Sequence, residues 1–228
     1  ADFVFNFLQE KANDLAPQWV FDKLTKLAGY DISQQAKQAE LYVILEKWQK
    51  ELSGDEQLKL NNELNNRLAD YQKAHLRDLE KTGIAKVGLA GLNILAFGEA
   101  PGRPLNQFSL DEYQNNLRVA TTIGGNWVGG FGWGGSSESA NDVYVLDSNL
   151  KTVGSVLNLG EGERIYSVRF LQDKGYLVTF KQTDPFYVLD LSVPKKPVVE
   201  GELKIPGYSS YLHPLVRDIL LGVGKENK

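Results

Sequence analysis

Proton transfer and oxygen-ligated cation binding both require carboxylates or an imidazole at fixed positions. Five residues of those types stand in the most distinctive phrases of this chain: Asp111, Glu112, Glu163, Asp184 and His213. Gathered near one face of a fold, they could act as acid and base or hold a calcium ion. Each also has a structural reading. Asp184 precedes Pro185, where a short carboxylate sets a turn; Glu163 can cap a loop or pair with Arg169; and His213, before Pro214, can fix a strand through one ring hydrogen bond. Arg118 and Arg169 read as ties between neighbouring elements through bidentate carboxylate pairs rather than as substrate ligands. The structural reading is the stronger, so no catalytic, cofactor or metal residue is assigned, and Asp184, Glu163 and His213 form the candidate polar site should the protein be an enzyme. His75, with no second histidine nearby, reads as a helix-surface residue.

A second candidate carries no charge chemistry. Between Gly124 and Asn141 the sequence runs Gly-Gly-Asn-Trp-Val-Gly-Gly-Phe-Gly-Trp-Gly-Gly-Ser-Ser-Glu-Ser-Ala-Asn. So many glycines make a loop entropically costly to order, and Trp127, Phe131 and Trp133 would be wasteful if merely solvated. Either these aromatics form an exposed hairpin that docks on a protein, a glycan or another subunit, or they fold back to plug or cover a neighbouring sheet. The run lacks the Gly-Lys-Ser/Thr ending and following helix of a phosphate loop.

Composition narrows the chemistry further. The 228 residues include no cysteine and two histidines, which removes thiolate and disulfide chemistry and makes a zinc site improbable. A net charge of −4 gives no basic footprint for nucleic acid. No apolar run reaches the roughly 18 to 20 residues of a membrane-spanning helix, and Ala1 opens without a charged segment and cleavage site. No nucleophile elbow, kinase, metalloprotease or EF-hand pattern is present.

The elements that must position these residues fall into two regions. Residues 1–81 carry apolar positions three and four apart, predicting three to four helices: one through Leu15, Val20, Leu24 and Leu27, another through Tyr42, Leu45 and Trp48, and a long one opened by a Ser53/Glu56 capping box and running to about Lys81. Thr82-Gly83 marks the boundary, and residues 82–228 switch to short apolar segments separated by Gly, Pro and Asn. There Tyr144-Val145-Leu146-Asp147 recurs as Tyr187-Val188-Leu189-Asp190, each copy followed by a turn and another strand. A unit of about 40 to 45 residues holding four short strands matches a β-propeller blade. The expected fold class is therefore α+β: a helical segment followed by about two and a half antiparallel four-stranded blades, fewer than the four to eight that close a propeller. Either the chain is a fragment whose remaining blades have been cut away, or its open sheet edges pair with another chain, with self-association through those edges or through the helices.

Several phrases in order, among them Thr82-Gly83-Ile84, Pro104-Leu105-Asn106-Gln107-Phe108-Ser109-Leu110-Asp111-Glu112-Tyr113, Leu117-Arg118-Val119-Ala120-Thr121-Thr122, Glu163-Arg164-Ile165-Tyr166-Ser167-Val168-Arg169-Phe170 and Gly207-Tyr208-Ser209-Ser210-Tyr211-Leu212-His213-Pro214, resemble the secreted β-propeller domain proteins of archaea and bacteria, a family distantly similar to WD40 repeats. The helical segment resembles an insertion between propeller strands in archaeal members. The resemblance implies a secreted or cell-surface protein, usually longer than this chain, and implies no reaction and no cofactor. The expected function is a non-catalytic interaction or scaffold protein of the cell exterior. The alternative is a hydrolase-type enzyme whose active site lies over the propeller axis and is completed by blades outside this chain.

Overall fold

A computed structural model describes residues 2–124, 139–180, 184–205, 208–216 and 219–225; the side chains of Asp184, Ile205 and Tyr208 are outside that description. The described residues fall into two compact units, one comprising residues 2–79, the other the described residues from 80 onward. Among the described residues, no helix is long and apolar enough to cross a membrane.

Among the described residues the first unit holds five helices, one or two more than the periodicity predicts: α1 (Asp2–Lys11), α2 (Gln18–Ala28), α3 (Gln34–Lys50), α4 (Gly54–Ala74) and the single turn α5 (Leu76–Leu79). Each longer helix turns one apolar stripe inward, so that Phe7, Leu8, Val20, Leu41, Leu45 and Leu64 are fully buried in one core. Each such side chain contributes roughly 1.5 to 3 kcal/mol through removal from water. The Ser53/Glu56 capping box forms as expected: the Ser53 hydroxyl accepts from the Glu56 amide, and the Glu56 carboxylate accepts from the Ser53 amide at 2.9 Å. The long helix stops earlier than predicted, at His75. The imidazole turns back to donate from Nδ1 to the Tyr71 carbonyl at 2.9 Å and stacks on the Tyr71 ring, 4.0 Å between centroids.

Among the described residues the second unit is β apart from one short 3-10 turn, Gln107–Ser109, ahead of its first four-stranded sheet. Strands β3 (Leu110–Tyr113), β4 (Asn116–Ile123), β5 (Ala140–Leu146) and β6 (Thr152–Leu159) form one antiparallel sheet in chain order. Strands β7 (Arg164–Leu171), β8 (Lys174–Phe180), β9 (Asp184–Asp190) and β10 (Val198–Ile205) form a second sheet of the same order. The Tyr-Val-Leu-Asp repeat is the end of the third strand in each. Its aspartate fastens the turn that follows: Asp147 accepts from the amides of Asn149 and Lys151, and Asp190 from that of Ser192. Two-stranded ribbons flank these sheets, β1 (Lys81–Gly88) with β2 (Asn93–Pro101), and β11 (Tyr208–Val216) with β12 (Ile219–Lys225). Strand β1 was not among the predicted strands, because Thr82-Gly83 reads as a helix stop. Its pairing with β2 makes the leading end of the sheet region a ribbon, just as the trailing end is.

Neighbouring sheets pack face to face. Val143 and Ala120 of the first meet Leu177, Leu189 and Leu191 of the second, with Val168 and Phe170 between them. The approach is close enough that a Cβ on Gly154 would collide with the Pro194 carbonyl, so the longer Pro194-Lys195-Lys196-Pro197 connection lies against a strand position only glycine can occupy. One end of this seam is closed by Arg118, whose side chain is 3% exposed. Its guanidinium pairs with Asp111 on its own sheet, donates to the Gln172 carbonyl of the next, and lies over the rings of Tyr113 and Phe170 at 5.2 and 5.3 Å. Arg169 reaches the opposite way, 5.1 Å over the Phe108 ring. Both arginines therefore tie sheets together as expected, but mainly over aromatic faces: the carboxylate contact of Arg118 runs through one nitrogen.

Two predictions follow from this packing. Ser53→Ala should cost about 1 kcal/mol in a circular-dichroism melt near neutral pH. The Ser53 hydroxyl, then its amide, holds the Glu56 carboxyl below the ordinary value of 4.5, so this support is present above that value and lost as pH falls through the lowered one. The difference between the variant and the parent should accordingly shrink in acid. Arg118→Ala should cost about 3 kcal/mol in urea unfolding, and Arg118→Met distinctly less, because Asp111 can be rehydrated while the methionine still fills the space between Tyr113 and Phe170.

Candidate functional site

The other end of the same seam is polar. Asn141, fully buried at the second position of β5, donates from its amide to the Leu159 carbonyl at 2.9 Å and to those of Gly160 and Glu163 at 3.3 Å each. Its side-chain oxygen accepts from the Thr122 hydroxyl at 2.7 Å, and that hydroxyl accepts from the Ile165 amide of the next sheet at 3.2 Å. Ser139 donates to the Glu163 carbonyl at 2.6 Å, and the Thr179 hydroxyl donates to the Glu163 carboxylate. Buried Asp142 accepts from the Tyr144 hydroxyl and the Asn158 amide at 2.6 and 2.9 Å. Burial pushes the nearby Tyr187 phenol up, and the negative charges of Glu202 and Glu163 add to it. The donors named here meet acceptors within their own sheet or across the seam, while the buried Thr121 hydroxyl beside Asp142 finds none.

The candidate residues therefore have separate duties. Glu163 caps the β6–β7 connection and bonds to Thr179, while Arg169, its other expected partner, lies over Phe108. Asp111 is the counter-ion of Arg118. Glu112 accepts from the Asn115 amide at 2.8 Å and so closes the β3–β4 turn. His213 lies on exposed β11 with Nδ1 2.9 Å from the Tyr211 hydroxyl. The backbone of Asp184 opens β9. Trp127, Phe131 and Trp133 lie outside the described residues. Among the described residues, no three acidic or histidine side chains gather closely enough to hold a metal ion, calcium included.

Sequence reasoning missed Asn141, Thr179 and the Gln172 carbonyl. Asn141 could have been found as the polar residue leading into the apolar Val143-Tyr144-Val145-Leu146 run, where a buried side chain must have a partner.

The open space lies elsewhere. Strand β11 packs on β7, leaving two grooves between the second four-stranded sheet and the β11–β12 ribbon. One, of about 790 Å3, has a polar lip where Lys174 pairs with Glu200 at 2.7 Å, beside Tyr176, Pro214 and Val216. The other, of about 360 Å3, is lined by Tyr176, Phe186, Val188, Leu203, Leu212 and Leu220. The apolar side chains of the smaller groove suit contact with another surface, whereas the larger one also carries Asp173, Lys174 and Glu200.

Comparison with known proteins agrees with this architecture. An uncharacterized protein of Archaeoglobus fulgidus is 48% identical over 226 residues, which cover 99% of this chain and 34% of that protein. An uncharacterized protein of Methanocaldococcus jannaschii is 41% identical over 225 residues, 98% of this chain and 35% of its own length. The chain thus spans about a third of the length of the curated relatives it matches. No solved structure matches it at a significant level. The family model described as a beta propeller domain matches residues 14–228, taking in helices α2 to α5 as well as every strand, and the chain belongs to that family.

Proposed function

We propose that these residues are a section of a longer, non-catalytic interaction scaffold that works at the cell exterior, with propeller sheets holding loops and grooves in fixed positions for a protein or glycan partner. The observation that carries this reading is the use of Glu163: one oxygen of its carboxylate accepts from Thr179 beside it, and its carbonyl accepts from Ser139 and Asn141, fastening one sheet to the next. A carboxylate held in this way positions strands rather than substrate. Membership of the beta propeller domain family supports a scaffold, since such sheets commonly serve protein interaction, and the greater length of the relatives supports a longer parent protein. The placement at the cell exterior rests on the resemblance of the sequence phrases to secreted proteins.

Within this reading Trp127, Phe131 and Trp133 are the contact residues, since flat aromatic faces bind sugar rings and apolar side chains at little entropic cost. The test is binding of the full-length protein to defined glycan and peptide libraries. Trp127→Ala with Trp133→Ala should weaken the selected ligand at least about 10-fold and leave the melting temperature unchanged. Failure to select any ligand, together with turnover of ester, peptide or glycosidic substrates that Glu163→Gln abolishes, would overturn the scaffold reading in favour of a hydrolase.

A further inference from the structure

The seam between the two four-stranded sheets carries a small cleft at its Arg118 end, of about 150 Å3. The β3–β4 hairpin brings Tyr113, Gln114 and Asn116 to it, the β7–β8 turn brings Asp173, and the connection after β9 brings Pro194. Both sheets that border it have all four of their strands. Its walls are fixed from within: Asn116 Nδ2 donates to the Gln114 carbonyl at 2.9 Å, the Leu191 amide donates to the Asp173 carbonyl at 2.8 Å, and Pro194 is seated against Gly154.

Arg118 lines the same cleft with one donor unmatched. Nη1 donates to the Gln172 carbonyl and Nη2 to Asp111, but Nε is buried and, among the described residues, meets no acceptor. A buried charged group with an unmade hydrogen bond is costly to keep. Nor does the repeat call for it. Arg118 stands opposite Val145 of the first Tyr-Val-Leu-Asp copy, and opposite Val188 of the second copy stands Tyr176. The arginine is thus particular to this seam.

The rest of the lining decides which chemistry would meet it. Asp111 already balances the guanidinium charge, and Asp173 on the wall repels an anion. A carboxylate only accepts hydrogen bonds, a guanidinium only donates, and the side-chain amides of Gln114 and Asn116 do both. Tyr113 and Pro194 add flat apolar surface. A matching group must accept at one atom, donate at its neighbour and carry C–H faces of its own, which is the pattern of a pyranose ring with adjacent hydroxyls. We propose that the cleft binds one neutral sugar residue of a glycan, one hydroxyl accepting from Arg118 Nε and the next donating to Asp173. The volume admits an edge of a single ring, leaving the rest of the glycan in solvent. This site shares no residue with Trp127, Phe131 and Trp133, so it stands or falls apart from them.

Titration calorimetry of the full-length protein with the methyl glycosides of glucose, galactose, mannose and N-acetylglucosamine should find at least one that binds. Asp173→Ala should weaken it at least about 10-fold with an unchanged melt, and Arg118→Met, which keeps the space between the rings filled, should weaken it as much. Trp127→Ala with Trp133→Ala should leave this binding intact. Silence from all four sugars overturns the proposal. Binding that survives Asp173→Ala overturns it too, and if the tryptophan variants abolish that binding the sugar belongs to their segment instead. Acetate or phosphate bound in place of a sugar, and more tightly after Asp173→Ala, overturns it in favour of an anion site.

Discussion

A sheet with apolar side chains on both faces cannot stand in water alone, and the whole of residues 80–228 is arranged around that constraint. Val119 and Tyr144 on one face and Ala120 and Val143 on the other are all buried, so the first complete sheet is stable only when covered twice. One cover is the β1–β2 ribbon and the other is the second complete sheet. The apolar strip between the sheets provides the attraction but no register. Register comes from its polar ends: Arg118 reaching Gln172 and Phe170 at one, Asn141, Thr122 and Glu163 joining β5, β4 and β7 at the other. Sliding one sheet on the other would strand a buried guanidinium and a buried amide, each far costlier than any apolar mismatch.

This explains why the most suggestive residues of the sequence are not gathered into a site. Carboxylates and a histidine in distinctive phrases suggest chemistry, yet Asp111, Glu112 and Glu163 are each engaged by a group within the blades themselves. Repeated sheets need charged and amide side chains at recurring positions because every strand end leaves backbone groups to be matched. Asp147 and Asp190 make the point most simply: their recurrence marks the same turn, fastened twice by the same carboxylate-to-amide bonds.

What was legible in the sequence was what repeats or alternates. The Tyr-Val-Leu-Asp copies located the third strands, the capping box located α4, and the helical periodicity located α2 and α3. Strand β1 escaped because Lys81-Thr82-Gly83-Ile84-Ala85-Lys86 carries neither strong alternation nor a second copy, and its strand character comes from pairing with β2 rather than from propensity. The early end of α4 escaped because it depends on the His75 ring returning to Tyr71, a contact that no spacing rule announces. The polar end of the seam escaped for a related reason. Asn141 and Glu163 are 22 positions apart and meet only once two sheets have stacked.

The same constraint decides where function can reside. Side chains that hold one blade to the next are committed by burial and cannot be released without opening the seam, so among the described residues a ligand can be met only by what the seams leave over: turns, exposed strand faces and the one nitrogen of Arg118 that lacks a partner. Those faces are apolar on both terminal ribbons, with Phe97 and Leu95 on one and Leu221 and Val223 on the other. Even the described turns are not all free to vary, since Glu163 in the β6–β7 connection and Leu191 after β9 place side chains in the sheet packing, whereas the β7–β8 turn gives it the carbonyl of Gln172.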